Sequence, residues 1–210
     1  MATAPRLPRP SVYSVHPGIA IVEKWVKELP AKTGRSIEEW IALVKQEGPP
    51  TEKERREWLK TKHKVGSNAA WWIAERAEGK GGINSEAEDY LEAAEEYVRE
   101  MFSGKKAALA PLYDQFLNLG FRMGEDVKAC PCKTMVPLYR KHVFAQIKPT
   151  TNSRIDLGLA LGDRKTPKRL INTGGFEKKD RITYRIEITK ASDIDDEVKR
   201  WLKMAYEADK

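Results

Sequence analysis

Cysteine and histidine are the scarce residues of this chain. Its 210 residues include two cysteines, Cys130 and Cys132, separated by one proline, and three scattered histidines, His16, His63 and His142. Two thiols at i and i+2 do not make a disulfide framework. No second thiol or histidine pair lies near them in sequence to complete a zinc site. The expectation is a protein with no metal and no cofactor, in a reducing cytoplasm. Long apolar runs are missing as well. No stretch approaches the roughly 18–20 residues of a membrane span, so no membrane partner is expected.

The usual catalytic signatures are also absent. There is no P-loop, no dinucleotide fingerprint and no Gly-x-Ser-x-Gly elbow. The glycine pair in "NTGGFEKKD" lies between two strand-like runs, so it reads as a hairpin loop rather than a phosphate cradle. Asp156 with "EKK" (Glu177 to Lys179) spells a metal-nuclease pattern, but the Glu-x-Lys falls in that loop. "EITK" (Glu187 to Lys190) lies on a strand with one residue too many. Both read as chance matches. Lys128, Lys133 or His142 could activate Cys130, yet Pro131 and the strand context give the cysteine a structural reading.

What the chain has is charge, unevenly spread. Lys and Arg number 38 against 31 Asp and Glu, a net of +7. Residues 1–83 carry +5, residues 84–126 carry −6, residues 127–192 carry +10 and residues 193–210 carry −2. Two readings stand. In one, acidic helices neutralise a basic sheet internally; in the other, the basic segment meets an acidic partner, either nucleic acid or an acidic protein.

Apolar periodicity divides the chain. "MATAPRLPRPSVYS" and the residue after it read as a disordered leader over 1–15. Residues 16–78 carry four helical patterns. Capping boxes open two of them, Ser36 with Glu39 and Thr51 with Glu54, and Ser67 is expected to cap the fourth. A Gly-rich linker follows at 79–85. Residues 86–210 begin with two helices, change to period two in "TMVPLY", "HVFAQIK", "RIDLGLAL", "RLIN" and "ITYRIEI", and end in a helix capped by Ser192 and Asp193. The fold class is therefore α+β. A small all-helical domain precedes an antiparallel sheet covered on one face by helices.

Alternation assigns Ile155, Leu157, Leu159 and Leu161, with Ile182, Tyr184, Ile186 and Ile188, to the helix side. The other face takes Arg154, Asp156, Thr183, Arg185 and Glu187, with Phe144, Gln146 and Lys148. Cross-strand ion pairs explain that face without a ligand. A binding platform of cations around Phe144 explains it too.

"TGRSIEEWIALVKQEGP" followed by "WLKTKHKVGSNAAWWI" resembles a family of unknown function numbered 4287. The likeness rests on Thr33 to Trp40 and on Leu59, Lys60, His63 and Gly66. "ALAPLYDQF", "RKHVFAQIKPTTNSRIDLGLAL" and "RWLKMAYEA" are similar to a second such family, numbered 5655. Neither resemblance implies an activity. The second implies kinship with domains fused to restriction-type nucleases, a pointer towards nucleic acid. The chain departs from the first family at Lys64, where glycine usually follows the histidine.

The turn before the paired tryptophans carries the sharpest hypothesis. A helix–hairpin–helix motif binds phosphate through N–H groups of a Gly-hydrophobic-Gly turn at the start of its second helix. Lys64, Val65 and Gly66 occupy such a turn, with Lys60 and Lys62 beside it and Trp71 at an edge. The first glycine of the motif is missing. The alternative is a corner whose tryptophans fill a small core.

Three functions follow. The first is a non-enzymatic binding or adaptor protein for nucleic acid or an acidic protein, using the polar sheet face, the loop after Cys130 and the segment from Arg164 to Lys179, which includes Lys165 and Lys168, with the turn as a separate phosphate-binding candidate. The second is an enzyme with a pocket on the sheet built from Lys133, Tyr139, Arg140 and Asp156. The third is a scaffold whose charges cancel internally.

Overall fold

The computed structural model describes residues 11–79, 87–164 and 167–210. The chain forms two compact units, Val15–Ala93 and Met1–Ser14 joined with Ala94–Lys210. The expected linker lies outside the described residues apart from Gly79, and Lys165 lies outside them altogether.

The first unit contains α1 (Pro17–Thr33), α2 (Ile37–Glu47), α3 (Glu52–Thr61) and α4 (Ser67–Ala77). Both capping boxes form, each closing two donors at a helix start. Leu29, Ile37, Trp40, Val44, Leu59, Val65, Ala70, Ile73, Ala74 and Ala77 make the core. Of the two adjacent tryptophans, Trp72 is half-buried and Trp71 is 40% exposed. They do not fill the core. Small residues on the inner face of α4 let α2 and α3 approach instead.

The resemblance motif of α1 and α2 has a structural explanation residue by residue. Gly34 adopts φ 77° and ends α1, its N–H donating to Pro30 O. Trp40 Nε1 donates to Thr33 Oγ1 at 2.8 Å. Ser36 and Glu39 are the capping box. Leu59 is fully buried, and His63 stands edge-on to Trp40 and Trp58.

The second unit is α+β, as the alternation implied. It includes the C-terminal part of α5 (Ala87–Met101), a 3₁₀ turn at Gly104–Leu109, α6 (Ala110–Phe121) and α7 (Asp196–Ala208). Six strands form one antiparallel sheet: β1 (Lys128–Ala129), β2 (Val136–Tyr139), β3 (Val143–Pro149), β4 (Ile155–Leu159), β5 (Ile171–Asn172) and β6 (Tyr184–Ile188). Their order is β1-β2-β3-β4-β6-β5. β1, at two residues, is too short for periodicity to reveal. α7 lays Val198, Leu202 and Ala205 over β3 and β4. Its cap is Asp195, whose side chain accepts from Val198 N. The expected caps, Ser192 and Asp193, lie instead in a 3₁₀ turn, where Asp193 accepts from Thr189 N and Lys190 N.

Residues 11–14 were expected in the leader, yet they join this unit. Ser14 N donates to Ala129 O, and the Tyr13 and Tyr113 hydroxyls meet at 2.9 Å. Burial raises the pKa of both phenols.

Phe144, Ile182 and Thr183 leave the faces assigned by alternation; Thr183 is buried and lines a cleft with Ala205 and Ala208 of α7. The β2–β3 register shifts between Leu138 and Tyr139, so Tyr139 pairs with Val143 and Leu138 with Ala145. Phe144 is the extra residue of this bulge. It is fully buried against the ring of Tyr206 on α7, so it belongs to no polar platform. Ile182, just before β6, sits over Gly158 beside Gln146. A Cβ added at Gly158 would come within 2.6 Å of Gln146 Cγ and 2.8 Å of Ile182 Cγ2.

Asp126 ties α7 to the sheet. Tyr206 Oη donates to Asp126 Oδ1 at 2.6 Å, and Arg140 Nε donates to Oδ2 at 2.7 Å. These two bonds, that from Tyr206 first, hold the Asp126 carboxyl below its usual range. A Cβ at Gly124 would overlap Tyr206 Oη. Gly124→Ala is therefore expected to lower the thermal midpoint by expelling the phenol. The double variant with Tyr206→Phe should lose no more than the larger single loss, because both remove one interaction. Additive losses would show that the residues act separately.

Candidate functional site

The correction at α4 opens the site. Gly66, not Ser67, is the N-cap. Its carbonyl accepts from Ala70 N at 2.8 Å, and no side chain caps the helix. The first turn of α4 therefore presents backbone N–H groups without a side-chain acceptor, and the helix dipole adds partial positive charge there.

Lys64 reaches this point through a left-handed backbone, φ 57°. That conformation is costly for a residue with a Cβ and free for glycine. It explains the glycine usual after the histidine in the similar family. In this chain a lysine occupies the position, and it makes no ion pair among the described residues.

A groove begins at this turn. One end, of about 480 Å³, is lined by Lys32, Thr33, Lys64, Gly66, Ser67 and Asn68 among others. Trp25 and Asn68 also line the next pocket, of about 180 Å³, with Ile21, Val22 and Trp72. Trp72 packs between Trp25, at 5.4 Å between ring centroids, and the Arg76 guanidinium, 4.7 Å from its ring. Ile21 is 70% exposed. The groove is thus rich in N–H donors at one end, with Lys64 beside them and Lys32 held by Glu28 at 2.7 Å, and aromatic and apolar at the other. Sequence reasoning missed Lys32 and Trp25, because only the fold of α1 against α4 brings them to the turn, and it passed over Asn68, which follows the turn directly in the chain.

The other lysines of the turn are engaged elsewhere. Lys60 Nζ pairs with Glu57 at 2.9 Å. Lys62 lies 3.8 Å from Glu47 and over the Trp58 ring. Neither lines the groove. Trp71 carries the Arg56 guanidinium 5.8 Å from its ring centroid.

Four charged residues of the polar sheet face, Arg154, Asp156, Arg185 and Glu187, form a set of ion pairs, with Lys148 opposite Asp156 outside it. Arg154 contacts Asp156 and Glu187, each at 2.9 Å, and Arg185 contacts the same two at 3.1 and 2.7 Å. Two cations and two anions cancel. The residues of the enzyme reading are not brought together. Tyr139 pairs with Val143 and Asp156 with Lys148, so they stand five residues apart along β3, roughly 17 Å. Arg140 is held by Asp126, and Lys133 is exposed in the turn before β2. Burial pushes the Cys130 thiol up to about 12 and raises that of Cys132. Neither is poised as a thiolate. Among the described residues no three His, Cys, Asp or Glu side chains could jointly hold a metal ion. No helix among them is long and apolar enough to cross a membrane.

Most arginines of the basic segment find acids. Residues 127–192 contain six. Arg140, Arg154 and Arg185 are paired as above, Arg169 binds Asp195 and Glu197, and Arg181 binds Asp209. Internal neutralisation therefore accounts for five. Arg164 has no carboxylate partner among the described residues, and Lys168 is exposed nearby. His142 forms a further constellation that sequence spacing could not show. Asp209 accepts from His142 N at 2.7 Å, meets His142 Nδ1 at 2.9 Å and accepts from Arg181 Nη2 at 2.6 Å. This cluster fastens the end of α7 to the β2–β3 turn.

These features define a two-domain protein, a helical unit with an open helix start and an α+β unit whose basic-segment arginines are mostly paired with its own acids. Comparison with known families assigns both parts. Residues 98–209, more than half of the chain, match the family described as Domain of unknown function (DUF5655), and the chain belongs to it. Residues 22–78 match Domain of unknown function (DUF4287). No curated protein and no solved structure matches the chain.

Proposed function

We propose that this chain is a binding or adaptor protein that takes single-stranded nucleic acid in the groove at the start of α4. The observation that carries this reading is the uncapped first turn of α4 opening into a groove beside Lys64. Phosphate suits such a turn, where backbone donors and helix dipole act together. Bases suit the other end, where Trp25 and Trp72 offer flat apolar surface. A single strand fits better than a duplex, because only unstacked bases can lie on aromatic rings. The same reading sets the protein in the cytoplasm, where Cys130 and Cys132, which form no disulfide, persist as thiols.

The test is fluorescence anisotropy of labelled single- and double-stranded oligonucleotides at several salt concentrations. The expected result is micromolar binding of the single strand that weakens steeply with salt. Two variants separate binding from folding. Lys64→Gly keeps the left-handed turn and should leave stability within about 1 kcal/mol, yet flatten the salt slope by about one phosphate contact. Asn68→Asp puts a carboxylate in the first turn of α4, which should stabilise the helix by about 0.3–1 kcal/mol while repelling phosphate. No binding at low salt, or binding indifferent to both variants, overturns the proposal. Preference for an acidic peptide would transfer the groove to a protein partner.

A further inference from the structure

We propose a second ligand site, in the α+β unit and independent of the groove: a cleft that takes a small organic carboxylate with an apolar body. The cleft holds about 350 Å³, within the range of small-molecule sites. Its walls are the loop after β4, the loop before β6 and the last turns of α7.

Arg164 supplies the anchor. Its backbone is fixed, with N donating to Tyr184 Oη at 3.2 Å and O accepting from the same hydroxyl at 2.6 Å. Nε donates to Leu161 O at 2.8 Å, and Nη1 lies 2.7 Å from Met204 Sδ, a weak acceptor. Nη2 has no partner among the described residues. In a unit where the other arginines of the basic segment hold carboxylates, this one is positioned by neutral groups and keeps donors for an incoming anion. An arginine fork with two N–H groups matches a carboxylate.

The remaining lining chooses the ligand. Arg181 is already matched by buried Asp209, so it adds a wall rather than spare charge. Asp180 also lines the cleft, with Oδ1 accepting from Ile182 N. Its charge opposes a second negative charge on the ligand, which favours a monoanion over a phosphate dianion. Ala205 and Ala208 give a shallow apolar floor, and Phe176 stands at the cleft 54% exposed. A flat or apolar body fits between them.

Benzoate and phenyl phosphate, titrated separately into the full chain, test this by calorimetry and by ¹H–¹⁵N spectra that include the Arg164 Nε–H. Benzoate is expected to bind and shift that resonance, and to bind more tightly than phenyl phosphate. Arg164→Ala should weaken benzoate at least tenfold, and Arg164→Lys should fall between. Ala208→Leu, which fills the floor from an exposed helix position, should weaken it while leaving the melting curve unchanged. Asp180→Asn should improve phenyl phosphate relative to benzoate by about tenfold, the effect of one removed like charge. None of the four should alter oligonucleotide binding, so failure here is separable from failure of the groove. The idea is overturned if benzoate does not bind, if both Arg164→Ala and Ala208→Leu leave it unchanged, or if wild type prefers phenyl phosphate.

Discussion

Trp40→Ala should unfold the helical unit at temperatures where the α+β unit persists. Trp40 is 2% exposed, and its Nε1 donor is satisfied by Thr33. Removing a buried tryptophan costs about 3–5 kcal/mol. A unit of this size has little reserve, because small domains bury too small a share of their surface. Far-UV circular dichroism of the full chain should show an early loss of helical signal, followed by a later transition from the sheet unit. Trp40→Phe should lose less, since it keeps most of the apolar area and gives up one hydrogen bond of about 1 kcal/mol. A Trp40→Ala chain that melts like wild type would mean that the core is organised around other residues.

Phe144→Ala should destabilise the α+β unit by about 3–5 kcal/mol, the cost of an emptied aromatic site. The result discriminates between two placements. On a solvated sheet face the same change would stay within about 0.5 kcal/mol. The bulge turns Phe144 towards Tyr206 and out of solvent. Denaturant titration followed by tryptophan fluorescence, with Trp201 on α7 as one reporter, would measure the loss. Phe144→Leu should recover a good part of it by refilling the volume.

The same pair of residues shows what could be read from sequence and what could not. Trp40 was legible, because helical spacing placed it on the apolar stripe of α2 behind a capping box. The strand runs and the α+β class were legible for the same reason: period two and period 3.6 are properties of local sequence. Phe144 was not, because a bulge adds one residue and flips the face that alternation assigns. Residue type points to Ser67 as the cap of α4, yet Gly66 before it has the extended backbone of a cap. The site suffered more than the fold. Lys64 and Gly66 were visible in the turn, but Lys60 and Lys62 were drawn in by proximity along the chain, and their acidic neighbours claim them. Trp25 and Lys32 are more than thirty residues distant in sequence and reach the turn only through packing. Arg164 was named as one of a basic run. Only the pairing of the other arginines singles it out.

That pairing bears on how much a bound strand could tell this protein. Guanidinium forks are the side chains best shaped to recognise guanine edges. In the helical unit Arg55 contacts Glu78, Arg56 contacts Glu52, and Arg76 and Arg35 lie over Trp72 and Trp40. What the groove offers instead is lysine ammonium groups, main-chain amides and ring faces, with Asn68 as its one side-chain amide. The first three sense charge or flatness and distinguish no base from another, which leaves base preference to that single amide. A strand held there would be gauged mainly by its length and its freedom from a complementary partner, with Asn68 the one place where a letter could be read.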